Sequence, residues 1–304
     1  LPELPPAIER RARTIVRRLI ARRGVIQGYY DLYDIPLHLL KYFDVASRQD
    51  PYLPGSMPVE SLFDALIDRG ISYRLWNYRT PERENMRDLI SAMQDDHSVL
   101  FFYTAELDAL MHRYGIFHEA VGEKLTEYQR FIERILEEGA KSAVDVRIHI
   151  FSDHGMIDVA EVVDLWGAVT RRGYRIGRDY MAFYDSTMAR FWCDGDVAAG
   201  INEQLAESGW GRMLLTEELV RLGCMFEDNS YGNQIFLLSP GRMIIPSFMG
   251  TYRVAAMHGY DPADKYSQGC ILTNQTDAPI PDSILGIKAY LLSQVGGRNH
   301  GVLR

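Results

Sequence analysis

The chain has 304 residues, 47% of them hydrophobic and 24% charged, which provides for a large core or two unequal lobes and excludes a disordered or low-complexity protein. A net charge of −8 gives no basis for general nucleic-acid or membrane-surface binding, and no apolar run reaches the length of a membrane span. The three cysteines, Cys193, Cys224 and Cys270, are odd in number and widely spaced, so they form neither a disulfide framework nor a thiolate zinc site and fit a reducing, cytoplasmic setting.

In chain order, residues 7–23 carry Ile8, Ile15, Val16, Leu19 and Ile20 at helical spacing with seven arginines on the other positions, an amphipathic basic helix read as a surface element. Residues 24–44 are rich in aromatic side chains (Tyr29, Tyr30, Tyr33, Tyr42, Phe43) and are expected to form a cap or lid. A turn-rich linker follows at 47–56. Residues 1–57 are therefore set apart from an α/β domain spanning 58–304.

Regular alternation begins at Pro58, with a helix to Arg69, a strand over 71–78, a helix over 81–93 and a strand over 98–103. Residues 106–138 read as helix in two pieces broken near Gly115, and a buried strand is expected over 144–151. Then come a helix over 159–172, a strand pair over 181–193, a helix over 197–208, short strands over 234–238 and 242–245, and a final helix over 281–295. The pattern predicts an α/β fold with a mostly parallel central sheet flanked by helices.

Three polar clusters punctuate this pattern. Asp108 and His112 are four apart on a predicted helix just after a strand, so one cation could take both. Asp153 and His154, in Phe151-Ser152-Asp153-His154-Gly155-Met156, sit at the C-terminal end of the next strand, the edge where open α/β sheets bind ligands; Gly155 is expected to allow a sharp turn. His258 opens the turn-forming run His258-Gly259-Tyr260-Asp261-Pro262 and supplies a further imidazole. Carboxylate oxygens with imidazole nitrogens suit zinc, with manganese or iron also compatible. His38, His97, His118, His149 and His300 lie outside the motifs and are read as structural or surface residues.

The order and spacing of Asp108-x-x-x-His112, Ser152-Asp153-His154-Gly155-Met156 and His258-Gly259-Tyr260-Asp261 resemble the alkaline phosphatase superfamily, in particular its type I phosphodiesterase and nucleotide pyrophosphatase branch, over about four fifths of the chain from Pro58 onward. The resemblance implies a two-zinc site, with Asp108, His112 and His258 on one ion and Asp153 and His154 on the other, and a two-step in-line displacement of a small phosphoester or nucleotide. Tyr260 and Tyr33 are candidates to meet that substrate. The family's further metal-binding aspartate and its Thr or Ser nucleophile are not found in these residues, and the start at Leu1 leads to the expectation of a chain truncated upstream. A non-catalytic metal-binding relative is the alternative, and a sulfatase or phosphoglycerate-mutase-like enzyme a second. No cysteine sits in the Cys-x-Pro-x-Arg context a sulfatase would use.

Overall fold

The computed structural model describes residues 5–22, 33–43, 51–142 and 145–295. In chain order the elements are α1 (Pro6–Arg22), α2 (Leu62–Asp68), β1 (Tyr73–Trp76), α3 (Glu82–Ala92), β2 (Val99–Phe102), α4 (Glu106–Tyr114), α5 (Glu119–Lys141), β3 (His149–Phe151), β4 (Ile157–Asp158), β5 (Glu161–Val163), α6 (Leu165–Arg171), β6 (Met181–Tyr184), β7 (Met188–Trp192), α7 (Gly195–Ser208), β8 (Gly211–Met213), α8 (Thr216–Arg221), β9 (Gln234–Leu238), β10 (Arg242–Ile244), β11 (Ala256–Met257), β12 (Ile271–Thr273) and α9 (Ile287–Val295). They belong to two compact units, one of Leu1–Arg48, His112–Ile116 and His154–Gln268, the other of Gln49–Met111, Phe117–Asp153 and Gly269–Arg304.

In the first unit the largest sheet is antiparallel throughout, in the order β6-β7-β9-β8. Only three residues separate β6 from β7, too few for a crossover, so the two must pair as a hairpin. Two short ladders accompany it, β5 with β10 in parallel and β4 with β11 antiparallel. The core is aromatic: Tyr184, Phe191, Phe236 and Phe248 are fully buried, and Trp166 stacks on Tyr184 at 5.5 Å. Burial pushes the hydroxyl of Tyr184 well up, and it is satisfied by Tyr180 at 2.7 Å.

The described part of the expected lid belongs to this core. Ile35 and Leu39 are buried in it, and Phe43 meets Phe183 and Phe248 edge-on. Aromatic rings bury large areas wherever they occur, and here Tyr33 and Phe43 pack partly buried on the core while Tyr42 is exposed. Tyr29 and Tyr30 lie outside the described residues. On α1, Arg13 is buried and donates to the carbonyl of Tyr33, and Glu9 accepts from Leu37 N–H, while Ile8, Ile15 and Leu19 are exposed.

The second unit keeps the expected alternation in one place: β1, α3 and β2 form a parallel pair with a crossover helix, Tyr73 facing Val99. β3 instead pairs with β12, antiparallel, Ile150 facing Leu272. The fold is thus mixed α/β, but among the described residues its sheets are small and the largest is antiparallel, unlike the single, mostly parallel sheet predicted. Val144 lies outside the described residues. The predicted helix over 159–172 is strand β5 and then α6, because Asp164 accepts from Gly167 N–H at 2.7 Å and starts the helix only there. The break between α4 and α5 falls as expected at Gly115, whose φ of +91° only glycine adopts readily. No described helix is long and apolar enough to cross a membrane.

Candidate metal centre

Within the first unit the structure brings three predicted ligands together, His112, His154 and His258. The rings of His154 and His258 stack at 3.7 Å and 15°, and His112 lies 5.2 Å from His258, centroid to centroid. Two-residue β11 ends at Met257 and pairs with β4, which begins at Ile157, so this short ladder runs His258 alongside the His154 segment. Segment 112–116 is fixed to the same ladder: Ala255 N–H donates to the His112 carbonyl at 2.8 Å, and Ile116 N–H to Asp158 at 2.8 Å.

The hydrogen bonds of two rings set their tautomers. His112 Nδ1 is 2.8 Å from the carbonyl oxygen of Ala256, and His154 Nδ1 is 2.9 Å from that of Gly155. A carbonyl only accepts, so each Nδ1 carries the hydrogen and each lone pair is on Nε2, the form in which imidazole ligates a metal. One nitrogen of His112 and one of His258 lie within 4.8 Å of each other. Three half-buried imidazoles, two of them with the lone pair set on Nε2, are a donor set that fits zinc.

Gly155 serves this cluster differently from the expectation. It does not take a positive φ; instead the chain packs against it so closely that a Cβ there would fall 2.0 Å from the carbonyl oxygen of Tyr266. Its N–H donates to Ser267 at 3.0 Å. The loop after His258 is pinned as well: Thr187 donates to the Gly259 carbonyl at 2.8 Å, and Arg212 bridges Asp261 and Glu218, each at 2.7 Å. Tyr260, expected at the substrate, is a core side chain, 4% exposed, with its hydroxyl donating to the Arg242 carbonyl at 2.8 Å. Tyr33 holds a left-handed φ of 48° and packs partly buried on the same core.

The predicted carboxylates, Asp108 and Asp153, belong to the second unit. Asp108 is in the first turn of α4, one turn before His112 on that helix, and Asp153 follows β3. Both act on Tyr103, whose hydroxyl is pushed up first by burial and then by the negative charge of Asp153 and Asp108. Tyr103 packs with Tyr52 and Tyr78, centroids 5.4 and 6.3 Å away. These three tyrosines beside two carboxylates did not emerge from the sequence reading; the available signal was that Tyr103 ends the strand directly before the Asp108 motif. Ser152, directly before Asp153, accepts from Cys270 N–H at 2.9 Å.

Comparison with known proteins follows the same line. The family model for type I phosphodiesterase / nucleotide pyrophosphatase matches residues 41–213. The sequence gives no match among curated proteins. Among solved structures, murine ectonucleotide pyrophosphatase / phosphodiesterase 5 is 17% identical with a TM-score of 0.53, over 65% of this chain and 53% of that one. The human counterpart is 14% identical with a TM-score of 0.56, over 71% and 63%. Phosphonoacetate hydrolase from Sinorhizobium meliloti 1021 in complex with phosphonoformate is 14% identical with a TM-score of 0.50, over 71% and 57%. The chain thus spans less than two thirds of the length of each, and at these identities the likeness is one of fold.

Proposed function

Because this chain belongs to the type I phosphodiesterase / nucleotide pyrophosphatase family, we propose that it is a metal-dependent phosphoester hydrolase. In this reading Asp108, His112 and His258 hold one divalent cation and Asp153 and His154 a second, zinc being favoured by the imidazole-rich set and manganese the alternative. Bound there, two cations would clamp the attacking and leaving oxygens and offset charge on the phosphoryl group.

The observation that carries the reading is the imidazole cluster of the first unit, with two tautomers fixed by backbone carbonyls. Surface histidines have no reason to stack face to face with lone pairs directed by carbonyls, whereas metal ligands require such orientation. The chain's own residues orient the donors: the β4 and β11 ladder sets His258 against His154, and α4 carries Asp108 and His112 on one face. A nucleotide is the favoured substrate class, since an inactive form of the murine relative has been solved in complex with AMP. Tyr103, under the charge of Asp108 and Asp153 and packed with Tyr52 and Tyr78, offers an apolar face for such a leaving group.

Elemental analysis of purified protein tests the metal content directly, with bound zinc expected and its loss on Asp108→Asn or His258→Ala. Turnover of a phosphodiester, a phosphomonoester, a phosphonate and a sulfate ester, before and after chelation, tests the reaction class. Metal-free protein with full activity would overturn the proposal, and turnover of the sulfate ester alone would reassign it.

A further inference from the structure

Behind the start of α4, inside the second unit, lies a buried polar network outside the three motifs. Lys124 of α5 is 8% exposed and donates to three carboxylates, Glu82 at 2.8 Å, Glu106 at 2.7 Å and Glu127 at 2.8 Å. Glu82, at the start of α3, is 4% exposed, and its other oxygen accepts from Tyr128 at 2.7 Å and from the hydroxyl of Thr104. Tyr128 and Thr104 are 3.1 Å apart. Thr104 in turn accepts from the backbone N–H of Glu106, the first residue of α4, at 3.2 Å.

The hydrogens in this chain run one way. An ionised carboxylate only accepts, so the Thr104 hydroxyl must spend its hydrogen on Glu82 and present a lone pair to Glu106 N–H. That N–H is one of the donors a helix start leaves without an intrahelical partner. A buried charge such as Glu82 is expensive unless fully paired, and burial pushes its carboxyl up while Lys124 and Tyr128 pull it back. A surface helix start needs only a hydroxyl cap. Here the cap is itself anchored by a lysine and a buried glutamate from two other helices, which fixes both the start and the rotation of the helix carrying Asp108 two residues further on.

We propose that Glu82, Lys124 and Thr104 are positioning residues for Asp108: they hold the first turn of α4 so that its carboxylate is presented in one orientation. The inference rests on the proposed role of Asp108 as a metal ligand.

The test compares wild type with Thr104→Val, which keeps the shape and removes the hydroxyl, Thr104→Ser, which restores it, and Asp108→Asn. Hydrogen exchange of the first-turn amides of α4 and zinc affinity of the folded protein, by competition with a chromophoric chelator, are both read. Expected is at least tenfold faster exchange at Glu106 in Thr104→Val, zinc binding weakened about tenfold, and both returned towards wild type in Thr104→Ser. Unchanged exchange, or faster exchange with zinc affinity intact, would overturn the positioning role. Zinc binding equally tight in Asp108→Asn and wild type would instead remove the metal reading of Asp108, and the positioning role with it.

Discussion

Replacing Gly155 by alanine tests the site's architecture most directly. An alanine Cβ would fall 2.0 Å from the carbonyl oxygen of Tyr266, 2.8 Å from that of Gln268 and 2.8 Å from the Tyr266 carbonyl carbon. All three are backbone atoms, so no side chain can swing away; segment 266–268 has to retreat, breaking the bond from Gly155 N–H to Ser267. Overpacking of this kind costs roughly 1–3 kcal/mol and the lost hydrogen bond about 1 more, on the order of 3 kcal/mol together. For a chain of this length that corresponds to a fall in Tm of roughly 5 °C, read by calorimetry. Because the neighbouring His154 stacks on His258, zinc affinity of the folded variant should also drop, by about tenfold. A Tm within about 1 °C of wild type with unchanged zinc affinity would refute the close-packing argument, since alanine would then fit a space that geometry denies it.

Gly122→Ala is the matched control, because nothing lies within 4 Å of its Cβ position and it is interior to α5; stability should rise by about 0.5–1 kcal/mol in urea denaturation. His149, held by Tyr290 at 2.9 Å and Thr273 at 3.1 Å and lowered first by burial and then by Arg147, favours its neutral form in the fold. The unfolded chain therefore takes up the proton first on acidification: stability is full above the ordinary histidine value near 6.5 and declines as pH falls below it, and His149→Gln should flatten that decline in Tm measured against pH. Arg212→Ala removes the bridge to Asp261 and Glu218; with a half-exposed arginine the loss should be under about 1 kcal/mol and shrink further in 1 M salt. Cys193 is buried and its thiol pushed up to about 11, so alkylation at pH 8 should modify Cys224 and Cys270 and spare Cys193, as mass spectrometry of peptides would show.

Local signals were legible in the sequence where local chemistry decides the outcome. Gly115 breaks the α4–α5 run because its φ is positive, and the strand–helix–strand of β1, α3 and β2 is the parallel unit its periodicity predicts. Two motifs were visible as acid and imidazole pairs and the third as a further imidazole, and their histidines do meet. What depends on distant neighbours was not legible. The reason for Gly155 lies at Tyr266, and the partner of β3 is β12, which no pattern around Phe151 can announce. An aromatic run such as 33–43 reads the same whether it covers a site or fills a core, so only packing decided between them. Tyr260 looked like a residue for substrate because of its motif, yet its hydroxyl is used by the Arg242 carbonyl. Tyr103 went unremarked because phenols beside carboxylates leave no periodic trace.

The pairing of β3 with β12 also has a meaning for synthesis. Ser152 and Cys270 are 118 residues apart, and Lys288 reaches back 228 residues to Glu60. Leu292 of α9 completes the cluster of Phe63, Ala65 and Leu66. Loops of that span close late and at an entropic cost that grows with their length. The antiparallel sheet of the first unit, by contrast, ties Cys193 to Gln234 across 41 residues. As the chain leaves the ribosome, that sheet has all its strands well before the core around Phe63 receives α9. Deleting α9 should therefore loosen the cluster around Phe63, Ala65 and Leu66 and leave the antiparallel sheet of the first unit folded.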